Sequence, residues 1–238
     1  MSIPEGIAGI NSDSTIVSVE VSKCRDWQGY SYTEKGWHYL SATIKEYIKN
    51  PTITPNESIL NKYYKIYQPT SIQDCLFYHE KKDDRLPPIT NNILQLPWGF
   101  AFDMGRKNNQ HFGPNSTSFI KKEFTDLIHI YNKLAKEGYQ PDKHPDGYIK
   151  GHFLKKYNDY RFILSGGQHR MAALGVLGNK KIPVKLYHKW QRVIDIENIN
   201  AWPHVQNGKY DLETSIKVFN SYFTNTGREK AKKLNLLA

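Results

Sequence analysis

Residues 161–186, RFILSGGQHRMAALGVLGNKKIPVKL, constrain the fold of this chain more tightly than any other stretch. Aromatic and branched side chains over Tyr160–Ser165 predict a strand, and it ends on the paired glycines Gly166 and Gly167. A short helix follows, with Met171, Leu174 and Leu177 on one side and a stop at Gly178-Asn179. A second strand is predicted over Ile182–Tyr187. Strand, glycine pair, helix and strand together place a helix N-terminus where the backbone can approach a ligand closely. The first helical turn leaves N–H groups without intrahelical partners, which suits an anion. His169 and Arg170 add donors and positive charge there, so the pattern predicts an oxyanion pocket with phosphate as its guest. Arg170 would grip phosphate oxygens bidentately, His169 would donate to the same group or move a proton, and Gln168 would orient a substrate hydroxyl. The competing account is a plain tight turn whose basic pair faces water.

The rest of the chain divides around this segment. Residues 1–90 read as an aromatic-rich, partly helical extension that opens with a strand over Thr15–Val21. One of its helices aligns Leu40, Ile44, Tyr47 and Ile48, with Ser41 near the start and Asn50-Pro51 at the end; another aligns Ile59, Leu60, Tyr63, Tyr64 and Tyr67 before Gln68-Pro69. The proline-bearing connector KKDDRLPPITNN marks a boundary, and residues 91–190 form the core: a strand ILQLPWGF, the loop MGRKNNQHFGPNSTS, and a helix over 118–136 with Ile120, Phe124, Leu127, Tyr131 and Leu134 on one face. Ser116, Thr117 or Ser118 caps that helix and Gly138 closes it. The tail, 191–238, carries a helix over Asp211–Phe223 with Ile216, Phe219 and Phe223 as its apolar stripe, packed on the core. The expected class is α+β: a small mixed sheet with packed helices.

Apolar residues make up 39% of the chain and charged residues 24%, which fits a folded protein and not a disordered one. No apolar run approaches the roughly 18 residues of a membrane span. The first residues lack the basic start and apolar stretch of a secretory signal, and Cys24 and Cys75 supply neither a disulfide framework nor zinc-ligand spacing, so a cytoplasmic setting is expected. The formal charge of +10 favours phosphorylated or polyanionic partners, although the lysine pairs are spread along the whole sequence and do not cluster as a nucleic-acid surface would require. The nine histidines include no metal-binding spacing. Trp27, Tyr30, Tyr32, Trp37 and Tyr39 could stack on bases or sugars, but core packing is the commoner fate of such a group.

The segment 161–186 resembles the signature of the ParB/sulfiredoxin superfamily, whose members share a strand, a Gly-X-X-Arg turn, a short helix with paired alanines and an Ile-Pro-Val strand. The likeness is greatest to sulfiredoxin, which carries Phe-Gly-Gly-Cys-His-Arg, then Ala-Ala, then Ile-Pro-Ala-Lys-Leu. Here the equivalents are Ser165, Gly166, Gly167, Gln168, His169 and Arg170, then Ala172-Ala173, then Ile182, Pro183, Val184, Lys185 and Leu186. Free serine kinases and CTP-binding ParB proteins carry variants of the same turn. One departure matters: sulfiredoxin works through the cysteine of this turn, rescuing sulfinic peroxiredoxins at the expense of ATP, and position 168 is glutamine here. Sulfinic acid reduction is therefore not expected, and the phosphate-binding half of the motif remains.

The resemblance implies that the helix over 118–136 approaches a nucleotide from the other side through its first turns. Ser116, Ser118, Lys121, Lys122 and Glu123 are the residues available, Lys122 to neutralise a γ-phosphate and Glu123 to act as general base toward an acceptor hydroxyl. Asp103 offers a single carboxylate to a magnesium ion, and Arg106, Lys107 and His111 lie in a loop long enough to close over a ligand. The expected function is a nucleotide-binding phosphotransferase, kinase-like, that takes ATP or another nucleotide with Mg²⁺ and a small hydroxyl-bearing substrate. The alternatives are a ParB-like nucleotide-gated DNA-binding protein, against which stands the lack of a helix-turn-helix pattern after residue 190, and a non-catalytic nucleotide sensor.

Overall fold

The computed structural model describes residues 16–78, 80–144, 147–186 and 191–237; Thr15 and Tyr187, the outer ends of two predicted strands, lie outside the described residues. The chain is a mixed α+β fold. Strands β1 (Ile16–Glu20) and β2 (Cys24–Arg25) precede three helices, α1 (Tyr39–Lys49), α2 (Ile59–Ile66) and α3 (Ile72–Leu76). The short strands β3 (Ile93–Gln95) and β4 (Ala101–Asp103) lead to the long helix α4 (Thr117–Glu137). Next come β5 (Ile149–Lys156), β6 (Asp159–Gly166), α5 (Gln168–Val176) and β7 (Lys181–Leu186). They are followed by β8 (Val193–Asp195), α6 (Pro203–Gln206), α7 (Leu212–Thr224) and α8 (Arg228–Lys233).

The main sheet runs β1-β7-β5-β6-β2. Strand β5 is its axis: it pairs antiparallel with β6 on one side, and on the other it pairs in parallel with β7 through Ile149–Gly151 and then with β8 through Phe153–Lys155. A bulge sits between Lys150 and Gly151, where a Cβ on Gly151 would lie 2.2 Å from the Ile163 carbonyl oxygen. Both edges of the sheet come from the first ninety residues, because β1 pairs antiparallel with β7 and β2 pairs in parallel with β6. That segment is thus joined to the following hundred residues by backbone hydrogen bonds.

Several elements differ from the sequence expectation, each for a visible reason. The run ILQLPWGF is not one strand. Pro97 and Gly99 (φ 93°) turn it, with Gly99 N–H bonded to the Leu96 carbonyl at 2.9 Å, and β3 folds back on β4 as a separate two-stranded sheet. No element is expected from the sequence between Gly138 and Tyr160, yet β5 lies there, and its turn into β6 uses Tyr157 at φ 52°. Its centre is buried on both faces, which hides the polar–apolar alternation that marks a half-buried strand. Helix α1 is capped by His38, whose Nδ1 accepts from Leu40 N–H, with Ser41 buried in the first turn. On α7 the buried side holds Ser215, Val218, Phe219 and Tyr222, so Ile216 faces outward at 43% exposure and is not part of the stripe. Leu177 is likewise outside the core at 38% exposure.

The aromatic residues of the first segment are core. Trp27, Tyr30, Tyr32, Trp37 and Tyr39 are all buried, and Tyr39 stacks on Tyr63 with ring centroids 4.1 Å apart. Helix α5 lies against this cluster so closely that a Cβ on Gly175 would stand 2.3 Å from the Tyr32 carbonyl oxygen. Intrinsic propensity favours alanine over glycine within a helix by about 1 kcal/mol. Overpacking against backbone costs about 1–3 kcal/mol and dominates at this position. Gly175→Ala should therefore lower the urea midpoint of unfolding; a raised midpoint would show that α5 is not seated on Tyr32.

Candidate functional site

The site is assembled around the loop 104–116, which tyrosines from two helices hold in place. The Gln110 carbonyl accepts from Tyr39 Oη at 2.8 Å and Tyr64 Oη at 2.7 Å. The next carbonyl, His111, accepts from Tyr63 Oη at 2.8 Å and Gln28 Nε2 at 3.0 Å. Buried phenols need partners, and loop carbonyls turned inward need donors, so each side satisfies the other. Asparagines complete the brace: Asn109 N–H donates to Asn115 Oδ1, Asn115 Nδ2 returns to the Asn109 carbonyl, and Ser116 N–H donates to Asn108 Oδ1.

With its backbone fixed, Gln110 extends its amide across the junction of α4 and α5. There Glu123, on the second turn of α4, meets His169 in the first turn of α5. His169 Nε2 lies 3.0 Å from Glu123 Oε2, and Gln110 Nε2 lies 2.9 Å from the same oxygen and 3.1 Å from His169 Nε2. Burial pushes the Glu123 carboxyl up, but the His169 and Gln110 bonds together with the charges of His169 and Lys122 outweigh it, and the group is held below the ordinary glutamate range. An ionised Glu123 requires the proton on His169 Nε2, which leaves Nδ1 as the accepting nitrogen of the neutral ring.

The turn that precedes the dyad matches the sequence expectation in shape. Gly167 is the N-cap of α5 at φ 90°, ψ 29°, and no side chain caps the helix. The N–H groups of Gln168 and His169 find no acceptor among the described residues. The three side chains that follow do not converge. Gln168 is buried, and its Oε1 accepts from Tyr32 Oη, so it anchors the helix to the aromatic core and does not face a substrate hydroxyl. His169 turns to Glu123. Arg170 takes a third direction, folding near Gly167, where its Nη2 is 3.2 Å from the place a Cβ would occupy, and bordering a cavity beside the second half of α4.

The other expected residues divide similarly. Ser116 Oγ caps α4 by accepting from Phe119 N–H at 3.3 Å and lies 3.1 Å from Ser118 Oγ. Lys122 points along the exposed flank of α4 and pairs with Asp126 at 2.5 Å, away from the dyad. Asp103 Oδ1 accepts from Gly105 N–H in a local turn. Among the described residues no group of three or more His, Cys, Asp or Glu side chains is placed to hold a metal ion. Cys24 and Cys75 are fully buried, and burial pushes both thiols up, Cys75 to about 12, so neither serves as a thiolate.

Sequence reasoning missed a fully buried carboxylate, Asp26. Asp26 Oδ1 accepts from Gln28 and Tyr30 N–H, a pattern foreshadowed only by the Asp-Trp-Gln-Gly run, while Oδ2 stands 3.8 Å from His38 Nε2 with no bond between them. His38 is sandwiched between Tyr32 and Tyr39, with centroids at 4.2 and 4.4 Å, and burial holds it neutral. Lys230 of α8 enters the same core: its Nζ donates to the Cys75 carbonyl at 2.5 Å and sits 4.2 Å over the Tyr30 ring. Burial pushes Asp26 up to about 7, against the pull of the Lys230 charge, and pushes Lys230 down to about 8.

Compared with known proteins, the chain matches no family model and no curated sequence.

The Asp26 environment has a measurable consequence. Between about pH 4, where an unfolded aspartate titrates, and about pH 7, the folded carboxyl keeps a proton that the unfolded chain has released. The folded state then binds more protons, so stability falls as pH rises through this window. Asp26→Asn removes that contribution while keeping an acceptor for Gln28 and Tyr30. The difference in urea midpoint between wild type and Asp26→Asn should shift against the wild type as pH rises from 4.5 to 7, while the buried neutral histidines His38, His111 and His152 act in the opposite sense on both proteins alike; a difference that stays constant with pH would refute the assignment.

Proposed function

We propose that this protein binds a nucleotide at the Gly166–Arg170 turn and transfers its terminal phosphoryl group to a small hydroxyl-bearing acceptor. The observation that carries this reading is the Glu123–His169 dyad, held at 3.0 Å beside a glycine-capped helix start whose first amides find no acceptor among the described residues. Phosphoryl transfer asks a protein chiefly for positioning and charge neutralisation. The amides of Gln168 and His169 and the guanidinium of Arg170 supply donors to phosphate oxygens, and Mg²⁺ accompanying the nucleotide would supply further charge neutralisation. The likeness of Ser165–Arg170, Ala172-Ala173 and Ile182–Leu186 to the ParB/sulfiredoxin signature supports a phosphate-binding turn of that kind.

The dyad supplies the base. Glu123 Oε2 already accepts from two donors, so the acceptor's proton goes to His169 Nδ1, and Glu123 steadies the resulting imidazolium through Nε2–H. The acceptor oxygen forms its bond to the γ-phosphorus as the bond to the β-phosphate oxygen breaks, and the nucleoside diphosphate leaves. Gln110 keeps both members in register. Lys122 bonds to neither member of the dyad: its ammonium pairs with Asp126 on the outer flank, and it acts on Glu123 through its charge alone. The glutamine at position 168, anchored on Tyr32, and the buried cysteines set the chemistry apart from sulfinic acid reduction.

The test pairs nucleotide binding with turnover. Calorimetric titration with ATP and Mg²⁺ should show binding, and ATP consumption should rise with one member of a panel of small alcohols. His169→Ala and Glu123→Gln should keep nucleotide affinity and lower kcat by about 10²–10⁴-fold, the usual contribution of general base catalysis. Arg170→Ala should abolish nucleotide binding while the free protein still unfolds in one cooperative transition. Unchanged affinity in Arg170→Ala removes the pocket. Nucleotide binding coupled to salt-sensitive DNA binding, with no turnover, would favour a ParB-like DNA-binding protein.

A further inference from the structure

The cavity that Arg170 borders belongs neither to the dyad nor to the amides of the turn. It has a volume of about 350 Å³ and lies between the second half of α4 and residues 138–144 with Gly147. Ile130, Leu134, Tyr139 and Pro141 give it mainly apolar walls, and Lys133, Glu137, Gln140, His144 and Arg170 stand around them. A few polar groups over an apolar cavity of at least roughly 300 Å³ is the usual make-up of a small-molecule site.

Its walls are fixed. Tyr139 Oη accepts from Ile149 N–H at 3.0 Å and donates to the Gly147 carbonyl at 3.3 Å, which ties the ring to the start of β5. The Gly147 backbone rests on the Pro141 carbonyl so tightly that a Cβ would stand 1.9 Å from its oxygen. Ile149 connects the two sites, because its Cγ1 lies 2.9 Å from the place a Cβ on Gly167 would take. The cavity and the phosphate turn therefore share Arg170 and stand on either side of one residue of β5.

We infer that this cavity is the nucleoside subsite, with the base between the Tyr139 and Pro141 surfaces and the phosphate chain leaving past Arg170 over Gly167. The inference rests on the phosphate reading of the turn given above. The occupant has to be an apolar, ring-bearing body with an anionic tail: the walls exclude a polar sugar alone, and the tail matches the cations Arg170 and Lys133. Glu137 and Gln140 are the groups placed to read the edge of a base, as acceptor and as mixed donor and acceptor.

The experiment compares ATP with inorganic tripolyphosphate, each with Mg²⁺, by calorimetry on the wild type, Leu134→Trp and Lys133→Trp. The first substitution fills the cavity from its floor; the second obstructs it from an exposed helical position and leaves the core untouched. Wild type should bind ATP at least about tenfold more tightly than tripolyphosphate, a gap of 1.4 kcal/mol. Both variants should bring ATP down to the tripolyphosphate affinity while leaving tripolyphosphate unchanged. If ATP affinity survives both substitutions, the nucleoside lies elsewhere and only this inference falls. Equal loss for both ligands likewise overturns it, since the cavity would then act on the phosphate turn and not on the base. Should wild type bind neither ligand, the phosphate reading itself fails and the subsite with it.

Discussion

Two adjacent carbonyls, those of Gln110 and His111, determine how the site is held. They accept four hydrogen bonds from three tyrosine hydroxyls and one glutamine amide, all on the aromatic first segment. A loop buried on its inner side must find donors for its carbonyls, and a phenol buried in a core must find an acceptor. Meeting both demands with the same bonds places the loop at one height above α4. That height decides where the Gln110 side chain falls, and hence where Glu123 Oε2 and His169 Nε2 are braced. Gln28 extends the chain of dependence, since its Oε1 accepts from Tyr67 Oη while its amide supports His111. The aromatic segment thus acts on the site through hydrogen bonds, with its rings in the core.

The same core contains charge, which sets a different constraint. Asp26 and Lys230 are fully buried among tyrosines, and each is displaced toward its neutral form by loss of water. Lys230 is compensated by the Cys75 and Gln28 carbonyls, Tyr67 Oη and the Tyr30 ring. Asp26 has less: one oxygen serves two backbone amides, and the other faces His38 across 3.8 Å without a bond. His38 transmits this position outward, stacking on Tyr32, whose hydroxyl bonds Gln168 at the start of α5. A single path of contacts therefore runs from the deepest carboxylate to the helix that presents His169.

The parts that were legible in the sequence are those governed by local rules. Helical spacing located α1, α2, α4 and α7 to within a few residues, Ser116 and Gly138 bounded α4, and the glycine pair located the start of α5. What stayed hidden depends on partners far along the chain. Glu123 and His169 are 46 residues apart; the resemblance placed both beside one nucleotide, but their direct contact was not expected. Strand β5 lost its alternation because both its faces are covered, and the expected strand over 93–100 ran β3 together with the turn that follows it, because Pro97 and Gly99 carry little hydrophobic signal of their own. Lys122, expected to neutralise a γ-phosphate, lies on the exposed flank of α4 and pairs with Asp126 one turn on. The cap by His38 escaped notice because histidine is outside the usual set of capping residues.

The separation of Gln168, His169 and Arg170 follows from helix geometry and accounts for more than one property of the turn. Successive residues on an α-helix are rotated by about 100°. Three neighbours in the first turn therefore point their side chains apart, and a motif that looks like a cluster in sequence becomes three directions in space. Inward, Gln168 fastens the turn to Tyr32; sideways, His169 reaches Glu123; on the remaining flank, Arg170 borders the cavity. Only the backbone amides belong to all three directions at once, and Gly167, at φ 90°, is what brings the preceding strand into register with them. A side chain at position 167 would press on Ile149 and on the Arg170 guanidinium together. The glycine is thus required by the strand, by the helix start and by the arginine, and the turn holds its shape because these demands coincide.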